Sequence, residues 1–323
     1  MNIEMIRAAN ERLEGHVRRT PLLNSPFLDE IAGRRVWLKA ECLQQTGSFK
    51  FRGGWSALSA LDPDLRAKGV IAFSSGNHAQ GVALAAREHG VPAVIIMPAD
   101  SPQQKLDNTR AYGAEVITYE RGAEDRDLIG ARLSEERGLT LIKPFDEPLV
   151  IAGQGTCGLE IAAQTKALGI ETADVIVCCG GGGLTSGIAL SCEADAPGLR
   201  VRPAEPEGFD DVARSLRSGK IEKNSRASGN ICDAIITPQP GELTFPILNR
   251  LCGPGLVISE DEALQAMAYA FSRLKLVVEP GGAAALAAAL FRSDDISGED
   301  VIVTLSGGNV DAPMFARALE TFS

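Results

Sequence analysis

Short apolar runs rich in β-branched residues alternate along this chain with longer stretches whose apolar positions recur at helical spacing. Val36 to Lys39, Val70 to Phe73, Val94 to Met97, Glu115 to Thr118 and Thr140 to Ile142 predict strands. So do Asp174 to Cys179, Leu199 to Pro203 and Val301 to Leu305. Between them the periodicity predicts helices over 1–19, 55–61, 79–89, 101–112, 123–137, 159–168, 261–274 and 283–291. Thr20-Pro21-Leu22 forces an extended segment. Residues 217–255, rich in Gly, Pro and polar groups, are expected to wander over the surface. Strands separated by helices of this length imply βαβ units and a parallel sheet. Right-handed crossovers then put ligand sites at the carboxyl ends of the strands.

One strand end stands out. Asp174-Val-Ile-Val-Cys-Cys179 runs into Gly180-Gly-Gly-Gly183, and Leu184-Thr185-Ser186-Gly187 opens the next helix. Glycines there let a ligand approach bare N–H groups, and the helix start adds partial positive charge, which suits a phosphate. A nucleoside triphosphate would want a lysine after the glycines, and none follows. A dinucleotide would want G-x-G-x-x-G; Gly181 and Gly183 fit the first two places but position 186 is Ser, while Glu205 stands near where a ribose ligand would be. Pyridoxal phosphate would want the cradle plus a lysine. Lys50, between Phe49 and Phe51, offers an amine in an apolar setting, and desolvation lowers a lysine pKa as Schiff-base chemistry requires. Ser74-Ser75-Gly76-Asn77-His78 turns another strand into a helix, where free N–H groups and hydroxyls can cap the helix or bind a carboxylate.

Composition narrows the partners. The 323 residues are 45% hydrophobic and 23% charged, as in ordinary globular proteins. A net charge of −10 argues against nucleic acid and anionic membranes, which need a basic face. No leader pattern opens the chain and no apolar run reaches spanning length, so a cytoplasmic protein is expected. Seven cysteines without a C-x-x-C pair fit reduced, buried thiols better than disulfides or zinc.

Thr46-Gly-Ser-Phe-Lys-Phe-Arg-Gly53, Ser74 to His78, Ala152-Gly-Gln-Gly-Thr156, Gly180 to Gly183 and Ser306-Gly-Gly-Asn309 occur in that order. Together they resemble the threonine dehydratase and serine racemase family of pyridoxal-phosphate enzymes, of the tryptophan-synthase-β fold type. The resemblance implies an α/β protein of two domains, each an open, mostly parallel twisted sheet with helices on both faces. A large cofactor-binding domain would comprise 1–52 and 147–323, with a small inserted domain at 53–146. It implies that Lys50 binds the cofactor covalently and removes the Cα proton, with Phe49 packing on the ring and Asn77 meeting the ring hydroxyl. Gly180, Gly181, Gly182, Gly183 and Leu184 would hold the phosphate, Ser306 would face the ring nitrogen, and Gly241 would lie near the ring edge. Ser74, Ser75, Gly76, Asn77 and His78 would take the substrate carboxylate, and Ser75 would be the second acid/base where racemisation occurs.

The same resemblance gives Glu205, the carbonyl of Phe209 and Asp211 as ligands of a divalent cation, Mg²⁺ or else Ca²⁺ or Mn²⁺. It implies a homodimer acting on a small amino acid. Phe145, where serine racemases carry a polar residue, points to elimination, so a dehydratase for L-threonine and L-serine is expected. Racemisation of serine or dehydration of 3-hydroxyaspartate is the alternative, with Arg126 placed to meet a second carboxylate.

Overall fold

The computed structural model describes residues 1–74, 76–101, 103–120 and 123–322. Its strands are β1 (Leu22–Asn24), β2 (Arg35–Lys39), β3 (Val70–Phe73), β4 (Ala93–Pro98), β5 (Glu115–Tyr119), β6 (Thr140–Leu141), β7 (Ala173–Cys178), β8 (Leu199–Pro206), β9 (Leu256–Ile258) and β10 (Asp300–Thr304). They form a six-stranded sheet in the order β1-β2-β10-β7-β8-β9 and a four-stranded sheet in the order β5-β4-β3-β6. Every pairing is parallel except β1 with β2. In the larger sheet Val301 lies beside Val36 and Asp174, and Val175 beside Val201. The near-continuous apolar runs of β4, β7 and β10 follow from burial on both faces.

β7 is flanked by β10 and β8, and β3 by β4 and β6, so in each sheet the chain departs in opposite directions from a central strand. Crevices open at such strand ends. One core cluster gathers around the alanine-rich helix Pro280–Phe291, whose small side chains let it lie close against the larger sheet. Another packs the helices Lys50–Ser59 and Asn77–Glu88 beside the smaller sheet. Among the described residues no helix is long and apolar enough to cross a membrane.

Four expectations need correction. The first helix ends at Leu13, before the basic pair Arg18-Arg19. The helix after the lysine loop begins at Lys50 itself. Gly153-Gln154-Gly155 does not precede a helix but lies inside one, Pro148–Ala167. Its glycines serve close approach: a Cβ on Gly155 would stand 3.0 Å from the Gly187 carbonyl, and one on Gly153 would strike the Arg52 carbonyl. Finally, the segment expected to wander holds the helix Thr244–Leu251, anchored by buried Thr244, Ile247 and Leu248.

Candidate active site

A cavity of about 210 Å³ opens where three strand ends and one helix start converge. β3 leads to Ser74, Gly76, Asn77 and His78, β7 to Gly180–Gly183, and β10 to Ser306; all of these line the cavity, with Phe49 and Lys50. Backbone contacts fix Lys50 against the last strand. Ser48 bridges Gly307, and the Phe49 N–H donates to the Ser306 carbonyl at 3.2 Å. The Lys50 ammonium donates to the Pro144 carbonyl at 2.8 Å and lies 5.1 Å from the Phe49 ring centroid. Burial lowers the Lys50 pKa to about 8, against the opposing pull of Glu279.

The glycine run leaves little room for side chains. Gly182 has a left-handed φ of 92°, a Cβ on Gly180 would stand 3.1 Å from the Ile235 carbonyl, and one on Gly183 would stand 2.6 Å from Gln154 Oε1. The helix Gly183–Asp195 follows, so its first N–H groups have no acceptor within the helix. Thr185 Oγ1 and Gln154 Oε1, both on cavity-lining residues, are buried without a partner among the described residues. The Thr185 hydroxyl and the free N–H groups of this helix start are donors and suit an oxyanion; Gln154 Oε1, an acceptor, does not.

Asn77 is held from both sides. Its Oδ1 accepts from Asn309 Nδ2 at 2.7 Å, and its Nδ2 donates to Glu279 Oε1 at 2.5 Å. Glu279 itself is buried, and its pKa is pushed up to about 7 by burial, aided by Asp233 and opposed by Asn77, Lys105 and Lys50.

Sequence reasoning placed several residues differently. The His78 ring does not fit carboxylate binding: Nε2 meets the Ile142 carbonyl at 2.9 Å, so Nε2 carries the proton and Nδ1 is an acceptor, buried without a partner among the described residues. Burial, with Lys50 nearby, lowers its pKa to about 3, so the ring is neutral. The donors that remain there are the main-chain N–H groups in the first turn of the helix Asn77–Glu88. Gly241 is not part of the cavity lining; its N–H donates to the Gly181 carbonyl and backs the glycine run from outside. Arg126 starts the helix Arg126–Arg137 with its side chain 55% exposed, 3.9 Å from Asp127 and outside the lining. Ser75 lies outside the described residues.

Gln154 and Asn309 fell within noted motifs but without a role, and Glu279 was assigned none. Neither Lys105 nor Asp233 was assigned one, and no local signal marks them as a pair. Both line the cavity, their charges 3.2 Å apart.

At the carboxyl end of β8, the Glu205 carboxylate accepts main-chain N–H bonds from Val212 at 2.8 Å and Ala213 at 2.7 Å. Asp211 Oδ1 accepts from Asn224, while its Oδ2 is buried without a partner among the described residues. Burial raises both carboxyl pKa values, Asp211 to about 7, and Asp211 adds to the shift of Glu205.

A family model described as pyridoxal-phosphate dependent enzyme matches residues 13–308. The chain is 44% identical over 317 residues to an L-threo-3-hydroxyaspartate ammonia-lyase of Pseudomonas sp, covering 98% of each. It is 42% identical over 311 residues to the protein of the same name from Saccharomyces cerevisiae, covering 96% of this chain and 94% of that one. The crystal structure of T.th. threonine deaminase superposes with a TM-score of 0.91 at 45% identity, over 96% of this chain and 99% of that one. This chain therefore belongs to the pyridoxal-phosphate-dependent enzymes of the tryptophan-synthase-β fold, in the family of threonine deaminases, serine racemases and 3-hydroxyaspartate ammonia-lyases.

Proposed function

We propose that this chain is an ammonia-lyase that converts L-threo-3-hydroxyaspartate to a 2-oxo dicarboxylic acid and ammonia. The reading rests on one conjunction: a partly buried lysine amine and a glycine cradle lining the same cavity, in a chain similar throughout to two proteins of that activity. Dehydration of L-threonine or L-serine, expected first from Phe145, becomes the second reading; similarity to a threonine deaminase supports it.

The residues fit the cofactor. The Gly180–Gly183 run with Leu184 would hold its phosphate by main-chain N–H groups, and the unpartnered Thr185 hydroxyl is a further donor there. Phe49 would cover the ring, Asn77 Nδ2 would meet its hydroxyl, and the Ser306 hydroxyl would face its nitrogen. Bound covalently at Lys50, pyridoxal phosphate supplies a sink for the electron pair left at Cα. A neutral hydroxyl at the ring nitrogen makes that sink modest, which favours prompt loss of a β-leaving group.

The protein's own groups do the rest. The first turn of the Asn77 helix binds the α-carboxylate. The Lys50 amine, its pKa near 8, has a neutral fraction able to take the Cα proton, and the Pro144 carbonyl orients it. Water leaves across Cα–Cβ, and the enamine tautomerises and takes up water to yield the oxo acid and ammonia. We also propose a divalent cation bound by Glu205, the Phe209 carbonyl and Asp211, because the unpaired Asp211 Oδ2 and an all-oxygen donor set suit one. The division into domains at 53 and 146 and a homodimeric assembly belong to the same reading.

Holoenzyme is to be assayed for 2-oxo acid with 3-hydroxyaspartate, threonine and serine, and borohydride reduction followed by peptide mapping locates the cofactor. The expected result is a kcat/KM for 3-hydroxyaspartate at least about tenfold above the others, with label on Lys50. A preference for threonine or serine overturns the substrate, and label elsewhere overturns the site.

A further inference from the structure

Given the 3-hydroxyaspartate reading, on which this inference rests, we propose that Lys105 binds the substrate's distal carboxylate and that Asp233 occupies Lys105 until the substrate arrives. 3-Hydroxyaspartate differs from serine by a carboxylate on Cβ. Carrying that charge into a cavity of about 210 Å³ requires a cation or several donors. The α-carboxylate has the Asn77 helix start, and Lys50 is committed to the cofactor. The His78 ring is neutral and presents an acceptor. Arg126, expected for this task, lies outside the lining and half in solvent. Among the described lining residues, the cation that remains is Lys105.

Its setting suits exchange of one carboxylate for another. Lys105 projects from the helix Gln103–Ala111, and its side chain is 22% exposed, with Nζ 3.2 Å from Asp233 Oδ2. Asp233 is 60% exposed, in a loop whose neighbours Cys232, Ala234 and Ile235 lie against Gly180 and Gly281. An ion pair this open is worth about 0–1 kcal/mol, so breaking it costs little. A substrate carboxylate that excludes water from the cavity meets Lys105 in a lower dielectric, where the same attraction is larger.

The charges around the cavity favour the exchange. Lys50 and Lys105 face Asp233 and Glu279, and Glu279 is protonated over much of the range below about pH 7. With Lys50 held by the cofactor, a protonated Glu279 leaves Asp233 as the charge that faces Lys105 among the described lining residues, and a substrate carboxylate takes its place. Asp233 thus plays two parts: it neutralises Lys105 when the cavity is empty, and it competes with weakly held monocarboxylates.

Five holoenzymes test this: wild type, Lys105→Met, Asp233→Asn, Arg126→Gln and, as a charge-preserving control, Lys105→Arg. KM and kcat are measured for 3-hydroxyaspartate and for serine, and malonate binding is read separately from the thermal shift it causes. Loss of a hydrogen bond to a charged group predicts that Lys105→Met raises the KM for 3-hydroxyaspartate about thirtyfold relative to that for serine. The malonate shift should vanish in that variant and persist in Lys105→Arg, whereas Asp233→Asn should bind malonate more tightly. Equal effects of Lys105→Met on both substrates, or a selective loss in Arg126→Gln instead, overturn the proposal. The two readings fail separately. A wild type that prefers serine or threonine but loses malonate binding with Lys105→Met sinks the substrate and keeps the dicarboxylate site. A wild type that prefers 3-hydroxyaspartate and is indifferent to Lys105→Met does the reverse.

Discussion

Glu279 shows how one residue can set the charge of a site without joining the chemistry. It stands at the N-terminal cap position of the helix Pro280–Phe291 without bonding the helix N–H groups; its buried carboxyl accepts from Asn77. Because its pKa is raised from 4.5 to about 7, the folded protein holds a proton here that the unfolded chain has released. Between those values the native state binds more protons, so this group's contribution to stability falls as pH rises. Glu279→Gln removes the effect while keeping a partner for Asn77. The variant should therefore gain on wild type as pH rises from about 4.5 to 7 and then level off. A shift of this size corresponds to roughly 3 kcal/mol at most. Urea unfolding of both proteins across that range checks it; a difference that stays flat with pH would show that Glu279 titrates normally. His78, its pKa lowered, slopes the other way in both proteins and cancels from the comparison.

At the scale of elements, the position of Lys50 depends on charges buried behind its helix. Arg52 donates to Glu41 at 2.8 and 2.9 Å and to Glu160 at 2.8 Å, while Lys39 donates to Glu160 at 2.5 Å and to the Thr20 carbonyl at 2.8 Å. Two cations and two carboxylates balance, and they join β2, the Lys50 helix, the helix Pro148–Ala167 and the segment after the first helix. Removing one member leaves an unpaired buried charge, so Arg52→Met should cost about 3–5 kcal/mol in denaturant unfolding. Arg52→Met with Glu41→Gln should recover a good part of that; if the double variant is as unstable as the single, packing and not charge holds the helix. None of these pairings was legible in the sequence, since no helical or strand period links the partners and those of Glu160 lie more than a hundred positions away. What was legible had a local cause. The strand, glycine run and helix start at 174–187 announce themselves because backbone conformation and ligand approach both demand glycine at one spot. The same reasoning misread Gly153 and Gly155, where the demand comes from a neighbouring helix. It also missed the helix Thr244–Leu251, whose apolar face is too short to outweigh the Gly- and Pro-rich flanks. Lys105 and Asp233 carry no local signature of their pairing; only the meeting of strand ends makes them neighbours.

At the scale of the whole molecule, the chain holds a net charge of −10 and yet buries two carboxyl groups together at the end of β8. Glu205 and Asp211 both lie on the wrong side of a desolvation penalty, each raised in pKa, and Asp211 Oδ2 has no hydrogen-bond partner. A bound divalent cation would reverse both penalties, and because the unfolded chain offers no such site, its binding free energy adds to global stability. The gain grows with concentration, reaching about 2.7 kcal/mol when the ion is at a hundred times its dissociation constant. Asp211→Asn separates this from a general salt effect. Without the cation the variant should be the more stable of the two, since it relieves repulsion and burial cost and leaves Glu205 its main-chain donors. With Mg²⁺ or Ca²⁺ added, wild type should overtake it. Thermal unfolding in EDTA and in each metal gives the values needed. The order of the two proteins should invert between conditions, and a wild type indifferent to the metal would remove the cation from Glu205 and Asp211.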